Sequence, residues 1–278
     1  MPISLLLPLI LQIGPGGALP QAPLQIPKPK AAAVSTDSTQ SDPLTDCLKL
    51  AMTRPADGIE VAQNWLAAAK TMKERAGAKQ CHALALTRIE GFAEAAPLFL
   101  AAREDTPANE PDERARLAAL AGNAQLAAGD PAAAFVALDR AGADSAGGND
   151  LKLRSVIEVD RARALVGLER LDGAAVALTA ARAADPANHQ AWLLSATLNR
   201  RLGKLAEAQA QIERAAQLMP VDPEIGLEAG VIAVLSGRDD AARKSWQSVI
   251  KAAPGSLAAR TAQSYLDQLG PSAAPSTK

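Results

Sequence analysis

Two stretches of this chain, set one under the other, decide its fold: AWLLSATLNRRLGKLAEAQAQIERAAQLMP from Ala191 and IGLEAGVIAVLSGRDDAARKSWQSVIKAAP from Ile225. Gly203 falls on Gly237, Ala208 on Ala242, Ile212 on Trp246, Ala215 on Val249 and Pro220 on Pro254, at an offset of 34 residues. One period upstream, Leu171, Ala174, Leu178, Ala181 and Pro186 take the same places, and Glu169 stands where the turn glycine should be. Further back, Gly129, Ala134, Leu138 and Ala141 repeat the pattern, as do Phe92, Ala95, Phe99, Ala102 and Pro107. These earlier units lie about five or six residues further apart, and the extra residues are expected in the loops Asn109–Asp112 and Ala143–Asp150.

The spacing has a physical reading. Each unit is an antiparallel helix pair whose apolar face has no cover of its own, so units must stack. The small residues Ala95, Ala134, Ala174, Ala208 and Ala242 suit the close approach of two helices in a pair. Phe99, Leu138, Leu178, Ile212 and Trp246 are large enough to fill the gap to the next unit. Gly203 and Gly237 permit a left-handed turn after the first helix, and the closing prolines stop the second. Asp185-Pro186 and Asp222-Pro223 read as helix starts.

Composition agrees. Alanine makes up close to a quarter of the 278 residues, and aromatics only 3%. Alanine is the best helix former, whereas strands favour β-branched and aromatic residues. The formal net charge of −1 supplies no basic footprint for nucleic acid.

The stretch 191–220 resembles the tetratricopeptide-repeat family, with Trp192 and Ala196 in the first helix, then Gly203, Leu205, Ala208, Ile212, Ala215 and Pro220. The resemblance extends from Leu44 to Leu269, strongest in 188–221 and 222–255 and weakest in the pair 44–70. It implies an all-α, right-handed superhelical solenoid of six antiparallel helix pairs, closed by a capping helix within Gly255–Leu269. The expected organisation is an apolar N-terminal segment (1–18), a Pro/Ala/Ser-rich linker (19–43), the repeat domain (44–270) and a tail (271–278).

The run from Ile3 to Ile13 (ISLLLPLILQI) is too short to span a bilayer, which needs ~20 apolar residues. It suits the apolar core of an export signal, with Gly16-Gly17-Ala18 as small residues before a cleavage point. The absence of Lys or Arg before it, and Pro8 within it, leave an uncleaved anchor and an apolar start without a role as the alternatives. Export makes the two cysteines a disulfide candidate, because Cys47 and Cys81 lie one period apart near the starts of neighbouring first helices. Two buried thiols are the other reading.

Little else suggests chemistry. Cys81-His82 lacks further ligands for a structural zinc, His189 reads as a surface residue, and Gly147-Gly148 precedes no Lys-Ser/Thr. Trp65, Trp192 and Trp246 sit at packing positions, and no catalytic residue, cofactor or metal is expected. In the family, first helices line a concave face that binds peptide segments. By that resemblance Leu84, Asn123, Arg163, Thr197 and Val231 share one inward position, and Arg88, Arg116, Val159, Leu193, Arg200, Arg201, Glu224 and Leu227 lie on the same face. The family's carboxylate clamp is not reproduced, since Ala119 and Asp160 replace its Lys and second Asn. The arginines instead suggest an acidic and apolar protein segment as partner. The expectation is a non-catalytic adaptor of the cell envelope, exported or periplasmic, with peripheral membrane association through the N-terminus. A cytoplasmic adaptor and an accessory domain of an enzyme complex are the alternatives.

Overall fold

The computed structural model describes residues 42–270; the expected signal, most of the expected linker and the tail lie outside the described residues. Among the described residues there are thirteen helices and no strand. They are α1 (Pro43–Thr53), α2 (Pro55–Ala68), α3 (Met72–Arg88), α4 (Phe92–Asp105), α5 (Pro111–Ala127), α6 (Pro131–Ser145) and α7 (Leu151–Gly167). The remainder are α8 (Leu171–Ala184), α9 (His189–Arg201), α10 (Leu205–Leu218), α11 (Pro223–Leu235), α12 (Asp239–Ala252) and α13 (Leu257–Leu269). Each helix packs on its predecessor and successor, which is the solenoid of helix pairs that the 34-residue register implies.

The turn inside each of the last five pairs is the same device. A left-handed residue follows the first helix: Glu90, Gly129, Glu169, Gly203 and Gly237, with φ of 62°, 79°, 59°, 74° and 70°. The next N–H then reaches back to a carbonyl of the last helical turn, as in Arg170 to Leu165 at 2.8 Å and Lys204 to Asn199 at 2.8 Å. Unpaired helix-end carbonyls are satisfied this way, and glycine serves best because it has no Cβ to crowd them. Glu90 and Glu169 adopt the same conformation with a side chain, which is strained for an L-residue.

The core follows the sequence pattern. Ala95, Ala134, Ala174, Ala208 and Ala242 are all fully buried, and so, nearly, are Phe99, Leu138, Leu178, Ile212 and Trp246. The larger fillers need room on the facing first helix. A Cβ on Gly122 would lie 2.5 Å from Leu138 Cγ, and one on Gly230 would lie 2.1 Å from Trp246 Nε1. Trp246 also donates its indole N–H to Leu227 O at 3.2 Å and stacks tilted on Tyr265, 5.1 Å between centroids.

Three expectations are corrected. The extra residues of the early units mostly lengthen first helices rather than loops: α3, α5 and α7 have 17 residues, α9 and α11 only 13. Pro111 at the start of α5 and the Asp150 cap of α7 add a helical turn ahead of the repeat register. Asp185-Pro186 does not start a helix, because Asn188 caps α9 by accepting from Gln190 and Ala191 N–H. Trp192 is only half-buried. It closes the loop ahead of α9, donating to Pro186 O at 3.0 Å beneath the Arg182 guanidinium, 4.9 Å from its centroid. Asp222-Pro223 does cap and open α11, and α13 falls within the stretch expected to cap the array.

The first pair is built differently. A single residue, Arg54, joins α1 to α2 with no left-handed turn, and Gly58 lets the helices cross tightly at Ala51. Cys47 and Cys81 are bonded, Cα to Cα 5.9 Å, tying α1 to α3 across one repeat period. Both sulfurs are buried among Ala51, Ala62 and Ala85.

Candidate functional site: the face of the first helices

The first helices α5, α7, α9 and α11 pack each against the next, and several of the polar side chains they present are bonded to one another. Asn123 on α5 donates its amide N–H to Asp160 Oδ2 on α7 at 2.8 Å. Arg163, one turn along α7, pairs with the other oxygen of Asp160 and donates to Gln190 Oε1 on α9 at 2.6 Å. A chain of four side chains thus crosses three helices. Burial pushes the Asp160 carboxyl above its ordinary range, opposed by Arg163 and the Asn123 amide. Arg200 on α9 donates to both oxygens of Glu228 on α11 at 2.6 and 3.3 Å. Arg116 pairs with Glu113 within α5.

These pairings change the electrostatics expected of the face. Arg116, Arg163 and Arg200 are neutralised by neighbouring carboxylates, and Asp160, taken from the sequence as a mere departure from a clamp motif, is the acceptor that organises the centre. Glu224 stands beside Arg163, its carboxyl raised by burial and by Asp222. Arg88 and Arg201 are exposed, and no ion pair is seen for either among the described residues.

Not all of the residues expected on this face reach its surface. Val159 and Leu193 are 2% and 7% exposed; they belong to the core between units, because the turn of the helix at that position points them at the neighbouring pair. Thr197 is half-buried and its hydroxyl donates to Leu193 O at 3.1 Å. Leu227, Val231 and Leu84 are half-buried and keep part of their apolar surface in solvent. The sequence reading missed Val156, which occupies the row of Gln190 and Glu224 and is exposed. Its signal was available, since the 34-residue offset carries 156 onto 190 and 224.

Among the described residues no group of three or more His, Cys, Asp or Glu side chains is placed to hold a metal ion, and no helix is long and apolar enough to cross a membrane. Family models give no match to the chain, and no curated protein matches it. Solved structures do. PilW, a widely conserved type IV pilus biogenesis factor, is 17% identical over 80% of this chain and 99% of its own, with a TM-score of 0.64. PilF of Pseudomonas aeruginosa is 14% identical over 81% of this chain and 98% of its own, at 0.62. YrrB, a tetratricopeptide-repeat protein with an unusual peptide-binding site, is 18% identical over 74% of this chain and 99% of its own, at 0.51. Identity this low speaks for architecture alone, and the register, the turns and the stacked pairs agree with it: the chain carries the tetratricopeptide-repeat fold.

Proposed function

We propose that this protein is a non-catalytic interaction scaffold of the cell envelope, which docks an extended segment of a partner protein along the face of its first helices. The observation that carries the reading is the Asn123–Asp160–Arg163–Gln190 chain, which holds one surface rigid across three repeats before any ligand arrives. A surface ordered in advance spares the ordering cost on binding. Because its central arginines are already compensated, the segment it takes is chiefly apolar, lying against Val156, Leu227 and Val231, with amide and hydroxyl contacts rather than an acidic clamp. Binding of this kind depends only weakly on salt. The Cys47–Cys81 bond supports an oxidising compartment, and the likeness to PilW, a type IV pilus biogenesis factor, lends support to the envelope.

The test is site-specific photocrosslinking in the native cell. A crosslinker at Thr197, on the docking face, should capture one partner from the envelope fraction, and one at Arg214, exposed on α10, should not. Equal capture from both positions, or capture only from cytoplasm, overturns the reading.

A further inference from the structure

The three arginine–carboxylate pairs of the first helices are not equally hidden. In Arg116–Glu113 both side chains are part-exposed, and in Arg200–Glu228 both are largely covered, at 16% and 12%. Arg163–Asp160 is unequal: the arginine side chain keeps 28% of its surface in solvent and the carboxylate only 4%. A segment lying on the face can touch Arg163, whereas the charge that cancels it sits beneath, out of reach.

Few groups hold that hidden charge. Asn123 on α5 donates one amide N–H to it at 2.8 Å, and Arg163 supplies the one opposite charge. A carboxylate can accept about four hydrogen bonds, and two are seen on this one among the described residues. Gln190, from α9, bonds Arg163 and not Asp160. Helices α6 and α8 also pack on α7, and no charge on either acts on Asp160 among the described residues. Burial outweighs the two partners and raises the carboxyl, so as pH falls Asp160 takes a proton from solvent before exposed carboxylates do. The neutral acid can still accept from Asn123, but it no longer compensates Arg163. Glu224 on α11, the other carboxylate acting near Arg163, is raised in the same direction by burial and by Asp222.

We propose that Asp160 is a proton-operated selector of the docking face: ionised, it compensates Arg163 and the face takes an uncharged apolar segment; protonated, it frees Arg163 to pair with an acidic residue of the segment. This rests on the docking reading above and adds its regulation. Asp160 touches no partner and acts through Arg163, whose planar fork suits a carboxylate or sulfonate once its own counter-charge is gone. The acidic segment is rejected at neutral pH because its carboxylate would be set near Asp160 and Glu224 with no free cation to meet it.

The test titrates the full, oxidised chain with two designed extended peptides of one apolar pattern, one carrying serines and the other cysteic acids, whose sulfonates stay ionised throughout. At neutral pH the serine peptide should bind at least tenfold tighter. At about pH 5, above the ~4 of exposed carboxylates, the cysteic-acid peptide should gain at least tenfold while the serine peptide changes little. Asp160→Asn, which is neutral at every pH, should bind the cysteic-acid peptide at neutral pH as the wild type does in acid, and Arg163→Gln should show no gain at either pH. Should Asp160→Asn not fold, the pH profile of Arg163→Gln decides alone. A serine peptide that does not bind overturns the docking reading and this inference with it. A serine peptide that binds, with no acid gain for its partner or with the same gain in Arg163→Gln, overturns this inference alone.

Discussion

The pairs α9–α10 and α11–α12 and the pair α1–α2 perform the same structural task by different means. In the C-terminal pairs, a glycine turn sets the angle between helices, and a large residue on the second helix fills the gap to the next unit. Trp246 is almost wholly buried against Gly230 and Tyr265. In the first pair the hairpin turns on Arg54 alone, the packing aromatic Trp65 remains half-open, and a covalent bond to α3 joins the pair to the stack. Regular packing makes a repeat stable through its neighbours. Among the described residues the first pair has a packing neighbour on one side only, and there a disulfide holds it.

Removing the packing aromatic from each region tests that contrast most strongly. Trp246→Ala should cost about 3–5 kcal/mol, the range for truncating a buried large aromatic. Trp65→Ala should cost distinctly less, because its ring already keeps part of its surface in water. Chemical denaturation of both variants measures this, and equal losses would mean that the first pair is packed as firmly as the last.

The disulfide supplies the next effect. Closing a 34-residue separation stabilises by roughly 3–4 kcal/mol in the chain-entropy model. The double variant Cys47→Ala/Cys81→Ala should therefore lose protection from hydrogen exchange first in α1 and α2, with α9–α12 little changed. Protein taken from its native compartment should offer no thiol to an alkylating reagent before reduction. Uniform loss of protection along the chain would refute the idea that the bond serves one end.

The smallest effect concerns the turns. Glu169 holds φ at 59° where its counterparts Gly203 and Gly237 do so freely. Glu169→Gly should raise stability by about 1 kcal/mol, since the left-handed region costs an L-residue roughly 1–2 kcal/mol and glycine returns part of that gain as chain entropy. An unchanged or lowered melting temperature would mean that the Glu169 side chain contributes something the turn geometry does not reveal.

Charge reversal of Arg163 and Arg200, the substitution that the sequence alone suggests for testing the docking face, is a poor probe. Each is bonded to a buried or half-buried carboxylate, and reversal would set like charges together inside the stack. Exposed Arg201 and half-buried Thr197 interrogate the surface without that cost.

The part of this fold legible in the residues alone is the part written in periods. A 34-residue recurrence of small, large and turn-forming residues requires stacked helix pairs, and it identified Ala208, Ile212, Gly203 and their counterparts before any coordinate, because packing between identical units repeats wherever the units do. Glu169 could be placed in a turn by register alone. The tertiary structure decided the rest. Whether residues 155–163 turn Val159 inward and Arg163 outward depends on how far neighbouring helices rotate against each other, and one residue of helical rotation moves a side chain by about 100°. The partners of Asp160 come from α5 and from its own helix, 37 residues before it and three after, so only the stacked geometry shows that the central arginine of the face is compensated.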